Sequence, residues 1–193
     1  MYKKIAELAK PLYERGRPKD KEHIQWLTKK LFDIEKLIRS RGYDFDILYA
    51  LTVLHDVGYA NLPKGYDPFD LEIRKLHAEE SAKIAEVILD KVNFPESKRE
   101  KTLRLIRHHD DWAFGNPPKD PEWRIFTDLD FSWEASKIGF DIVRMFRNES
   151  RSEFLMTVKR HLRRKEQNEP FYFSELKESF CKGLCYWESK LDS

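Results

Sequence analysis

The sequence is short of cysteine, of glycine and of long apolar runs, and neither sign of charge prevails. Its two cysteines, Cys181 and Cys185, cannot build a disulfide framework, and a C-x3-C pair without other ligands is a poor zinc site. A reducing interior suits such a chain. No run of about 18 apolar residues occurs, so nothing reads as a membrane span. The opening MYKKIAELAKPLYERGR lacks the apolar stretch and small residues of a secretory leader. These absences predict a soluble, cytoplasmic protein with no membrane partner. With 36 Lys+Arg against 34 Asp+Glu the net charge is only +2, which removes a polyanion-binding tail as the default reading.

What is present is a globular composition. Hydrophobic residues make up 40% and aromatic residues 13% of 193 residues, too many for a disordered chain. A chain of this length buries about 70% of its unfolded surface, enough for one domain over 1–193 without staples. No repeat, low-complexity tract or linker divides it.

Apolar residues recur at spacings of three and four through most of the chain, while strand-like alternation is rare, so the fold class is all-α. Ile24, Leu27, Leu31, Ile34 and Ile38 form one stripe, stopped at Arg41-Gly42. Ile47–Leu54 is apolar on nearly every side and predicts a core helix. The segment NLPKGYDPFDL, residues 61–71, reads as a loop. Helical periodicity then runs from Ala78 to Leu89 and from Ser97 to about His109. A second loop, FGNPPKDP, leads to Asp120-Pro121, an N-cap followed by proline, which predicts a long helix past Phe126 and Ile138. Two further helices are expected over Phe154–Leu162 and Leu176–Leu191, the second capped by Ser174.

Five of six histidines precede residue 110, and each sits near an end of an expected helix beside apolar positions. His23 is four residues before Leu27 and should lie over that stripe. His55 and Asp56 close the apolar core helix where the chain turns at Gly58. His77 begins a helix and shares a face with Ser81, Ile84 and Ile88. His109 follows Leu105 and Ile106 by four and three residues, so it faces inward more squarely than His108. A single such histidine is more often a hydrogen-bonded core residue than a ligand. Placements of this kind on four successive helices argue for a shared role. Neutral imidazole and carboxylate together suit divalent metals, and a carboxylate can join two ions.

The order His23, then His55-Asp56 in LTVLHDVGY, His77 in HAEESA, IRHH at 106–109 and DLD at 128–130 resembles the HD-domain superfamily of metal-dependent phosphohydrolases. The resemblance covers roughly residues 20 to 145, with the C-terminal helices from 150 packed on that core. It implies an HD-domain-like helical bundle and one or two divalent ions, drawn from Mn, Fe, Mg, Zn, Co and Ni. It makes His55 and Asp56 the catalytic pair and gives His23, His55, Asp56 and a late aspartate as one ligand set. His77 and His109, with His108 as a further candidate beside them, would serve a second ion. Residues two apart on a helix point about 200° away from each other, so only one of Asp128 and Asp130 can serve. Asp130 is preferred, because it shares a face with Phe126 and DLDF resembles the family's D-A-D-R/K stretch, with Phe131 where Arg or Lys is common. The Gly-Tyr-Pro signature of the cyclic-dinucleotide branch is missing, KGYDP at 64–68 being too early and in another order.

The implied reaction is hydrolysis of a phosphoester, mono- or diester, by a metal-activated water, with a small phosphorylated substrate and a nucleotide first among the choices. Lys64, Arg74, Lys75 and Arg107 are candidates for the phosphate, and Trp112 and Phe114 for a wall against the substrate. Asp110 and Asp111 offer carboxylates to orient an imidazole. A catalytically silent, metal-holding regulatory domain is an alternative. So is a nucleic-acid-binding helical protein, for which the basic run Lys159–Lys165 is the argument. The sequence is compatible with a homo-oligomer.

Overall fold

The computed structural model describes residues 1–191 and contains helices and turns, with no strand among them. The all-α expectation holds. No helix among the described residues is long and apolar enough to cross a membrane. The chain resolves into two compact units, Met1–Phe126 and a second that begins at Thr127.

In the first unit, α1 (Tyr2–Arg15), α2 (Asp20–Asp33), α3 (Glu35–Ser40) and α4 (Phe45–Leu54) are followed by a 3-10 turn over Val57–Asn61. Then come α5 (Leu71–Lys91), α6 (Glu96–Arg107) and the first turns of α7 (Pro121–Phe131). α4 forms where Asp44 caps it, its carboxylate accepting from the Asp46 and Ile47 amides at 2.9 and 3.2 Å, a contribution of about 1 kcal/mol. Every residue of α4 except the half-buried Asp46 is buried. It packs against α1, α2 and α6, so it is the axis of the unit. Leu48, Leu51 and Leu54 are wholly enclosed, and cutting any one back to alanine should cost about 2–5 kcal/mol.

Two expected boundaries differ. The stripe from Ile24 to Ile38 is broken at Ile34, whose φ of −110° ends α2 and starts α3. α5 begins at Leu71, not near His77, because the Asp70 carboxylate accepts from the Glu72 and Ile73 amides and caps it early. α1 is an element that the apolar periodicity of the later chain did not announce.

The second unit holds the rest of α7, a 3-10 turn over Ser132–Ala135, α8 (Gly139–Phe146), α9 (Arg151–Asn168) and α10 (Ser174–Leu191). The long helix expected past Ile138 is interrupted here. Gly139 lies so close to the Trp133 carbonyl that an added Cβ would collide with it and would stand 2.8 Å from Ser136 Oγ. The chain turns, and α8 starts afresh. Asp120 does cap α7, accepting from the Glu122 amide at 3.1 Å. α9 opens with a capping box of Ser150 and Glu153. Phe140, Phe154, Val158, Phe180 and Trp187 make the unit's core, with Phe140 stacked on Trp187 at 4.2 Å.

Candidate metal centre

The first unit gathers four histidines around one aspartate. α4 ends at Leu54, so His55 and Asp56 emerge at the end of the buried axis. The following turn, 57–61, is pressed against α5. There the Gly58 amide donates to Ser81 Oγ at 2.8 Å, and a side chain at 58 would strike the His77 carbonyl and Ser81. That contact sets His77 against Asp56. His23 comes from the first turn of α2 and His109 from just beyond the end of α6. His23, His55, Asp56, His77 and His109 are all buried, none more than 7% exposed.

The geometry divides around the two Asp56 oxygens. Oδ2 lies 3.3 Å from His55 Nε2 and 3.7 Å from His23 Nδ1. Oδ1 lies 3.3 Å from His77 Nε2 and 3.8 Å from His109 Nε2. Donor atoms of His23, His55 and Asp56 lie within 4.8 Å of one another, and so do those of Asp56, His77 and His109. Either triplet could hold a metal ion, and Asp56 belongs to both.

The imidazole tautomers follow from the backbone. His55 Nδ1 is 3.0 Å from the Thr52 carbonyl, His77 Nδ1 3.3 Å from that of Ile73, and His109 Nδ1 2.7 Å from that of Ile106. A carbonyl can only accept, so each Nδ1 carries the hydrogen and each neutral ring turns an Nε2 lone pair inward. Two of those nitrogens, on His77 and His109, face each other at 3.1 Å. Lone pairs converging on a carboxylate repel unless positive charge lies among them. Protonation of His109 is a poor source of it at neutral pH, since burial pushes that imidazole down to about 4. The donor set therefore fits a divalent cation.

Burial by itself would raise the Asp56 carboxyl. The cationic surroundings, the fixed Arg17 guanidinium among them, outweigh it and hold the group well below the ordinary carboxylate range. Arg17 is a residue the sequence reading passed over. It sits between α1 and α2, donates through Nη2 to Asp56 Oδ2 at 2.6 Å and through Nε to Asp20 Oδ1 at 2.7 Å, and rests over the Tyr59 ring at 4.5 Å. Burial lifts the Asp20 carboxyl to about 6, with Arg17 working against it. Tyr59 in turn stacks on His77 at 4.2 Å and so braces that imidazole. Asp110 also reaches the edge of the site, 4.0 Å from His77 Nε2 and 3.3 Å from Arg74 Nη1.

Other expected site residues lie elsewhere. The His108 side chain is 46% exposed and pairs with Asp111 at 2.9 Å, so it points away from Asp56. Asp128 is occupied within the second unit, where Lys165 pairs with Oδ1 at 2.8 Å and the Tyr172 and Phe173 amides donate to Oδ2 at 2.7 and 2.8 Å. It is a structural carboxylate. Asp130 is half-buried, one turn beyond Phe126 on α7, and is a member of neither triplet. Of the phosphate candidates, Arg74 pairs with Asp110, Arg107 with Glu79 at 3.0 Å and Lys75 with Glu72 at 3.2 Å, while Lys64 is exposed. Arg74 also lies 5.7 Å from the Trp112 ring and Lys75 5.0 Å from the Phe114 ring. In the basic run at 159–165, Lys159 pairs with Glu188, His161 with Glu134 and Lys165 with Asp128, while Arg163 and Arg164 are exposed. Comparison of the chain with protein-family models, with curated proteins and with solved structures returns no match.

Proposed function

We propose that this chain binds one or two divalent cations at His23, His55, Asp56, His77 and His109 and hydrolyses a phosphoester there, as an HD-type phosphohydrolase would. The observation that carries the reading is the division of Asp56, one oxygen toward His55 and His23 and the other toward His77 and His109. A cation bound in such a site supplies Lewis acidity toward a phosphoryl oxygen and an activated water at neutral pH. The chain's own groups do the rest. The backbone carbonyls of Thr52, Ile73 and Ile106 fix three rings with their lone pairs inward, so no reorientation is needed on binding. Arg17 keeps Asp56 ionised, ready to act as a ligand. Arg74 and Lys75, on the α5 side, offer cationic groups to phosphoryl oxygens, and the 42% exposed Trp112 presents a ring to a nucleobase.

The test is elemental analysis of the purified protein together with a panel of phosphomonoesters and phosphodiesters run on the same sample. Bound divalent cation and turnover of one class are expected, with both lost in His55→Ala and Asp56→Ala while helical content is retained. Full activity and full metal content in either variant would refute the assignment.

A further inference from the structure

The two sides of Asp56 are not alike. Oδ2, the oxygen near His55 and His23, also accepts from the Arg17 guanidinium at 2.6 Å. Asp20 takes the Nε hydrogen of the same group and the Tyr59 ring covers it, so it is held from three directions. Arginine does not release its proton in a protein, which makes Arg17 a permanent cation against Oδ2. On the Oδ1 side the charged pair is reversed. The member nearest His77 is the Asp110 carboxylate, and Arg74 lies beyond it. One flank therefore presents a positive end to the site and the other a negative end.

We propose that the two cation positions are unequal: the one made by Asp56 Oδ1, His77 and His109 fills first, and Arg17 is a resident cation that weakens the one made by Asp56 Oδ2, His55 and His23. An ion at the second position must share its carboxylate oxygen with a guanidinium, in a buried place where like charges are poorly screened. An ion at the first meets two converging lone pairs 3.1 Å apart and a nearby carboxylate. This inference rests on the cation-binding part of the proposed function and is independent of turnover.

The experiment is a titration of the full chain, stripped with a chelator, with Mn²⁺, followed by the electron paramagnetic resonance of free ion and by calorimetry. Wild type should bind in two classes, the second weaker by about ten-fold or more. Arg17→Gln should tighten the second class about ten-fold and leave the first in place, while Arg17→Lys keeps it weak. His77→Ala should abolish the tight class, and His23→Ala only the weak one. Asp110→Asn, which leaves the Arg17 contacts intact, should loosen the tight class about ten-fold, and this arm decides the matter if Arg17→Gln does not fold. Equal classes in wild type overturn the proposal. So do a tight class lost in His23→Ala but kept in His77→Ala, an unchanged second class in Arg17→Gln, or an unchanged tight class in Asp110→Asn. A chain that shows the expected order and cleaves no phosphoester refutes hydrolysis and leaves the order standing. Cleavage with two equal classes does the reverse.

Discussion

Replacing Gly58 with alanine should damage both the fold and the cation site, through one contact. The added Cβ would lie 2.8 Å from Ser81 Oγ and closer still to the His77 carbonyl oxygen and the Ser81 amide. Ordinary contacts begin about 0.6 Å or more further out, and the obstructing atoms are mostly α5 backbone, which cannot swing aside. The 57–61 turn must back away from α5. Overpacking of this kind costs about 1–3 kcal/mol, and loss of the Gly58 amide bond to Ser81 Oγ adds about 1 kcal/mol. The sum of about 2–4 kcal/mol corresponds to a fall in Tm of about 5–15 °C for a chain of this size. The same retreat separates His77 from Asp56, now 3.3 Å apart, and should weaken cation binding about 10–100-fold. Thermal unfolding in chelator gives the first number and Mn²⁺ calorimetry the second. Gly65→Ala, at a turn glycine with φ of +92° and nothing within 4 Å of the new Cβ, is the control for backbone strain without displacement of α5. A Gly58→Ala protein with wild-type Tm and wild-type cation affinity would refute the claim that this contact sets the site.

Asp128→Asn should destabilise the protein by about 3–5 kcal/mol in urea unfolding, because it strands the buried Lys165, and should leave metal content unchanged. Protonation of His109 opposes folding. Its pKa is about 4 in the fold against 6.5 ordinarily, so the folded state binds fewer protons in that window and stability falls as pH drops from 6.5 to 4, by about 3 kcal/mol for this group. His109→Gln, unfolded in chelator across the same range, should show a correspondingly flatter curve, and an identical curve would contradict the assignment. Trp112→Ala should raise KM for a nucleotide substrate about ten-fold or more, through lost base stacking, and leave a small phosphoester unaffected. Equal effects on both would exclude Trp112 as a substrate wall.

Much of the centre was legible because its residues obey local rules. The run ILYALTVL is apolar on nearly every side and sits in a chain of helical periodicity, so it reads as a buried helix, and the His-Asp pair that ends it is carried to the edge of the core. His23 and His109 could be placed inward from the spacing of Ile24, Leu27, Leu105 and Ile106. What escaped depended on contacts far apart in sequence. Arg17 meets Asp56 across 39 positions, by way of a turn in which Lys19 takes a φ of 72°, and among 36 basic residues nothing local marks it. DLD offers two aspartates with similar neighbours, and only the return of Lys165, Tyr172 and Phe173 shows that Asp128 is spoken for. The break before α8 likewise comes from Gly139 lying against Trp133, a packing event that periodicity does not encode.

The most direct test of the account is the divalent metal content per chain, measured by elemental analysis after incubation with Mn²⁺, Fe²⁺ or Zn²⁺ and exhaustive dialysis, in wild type and in Asp56→Ala. One or two ions per chain in wild type and none in the folded variant are predicted. A wild-type chain that retains no ion, or an Asp56→Ala chain that retains as many, would contradict it.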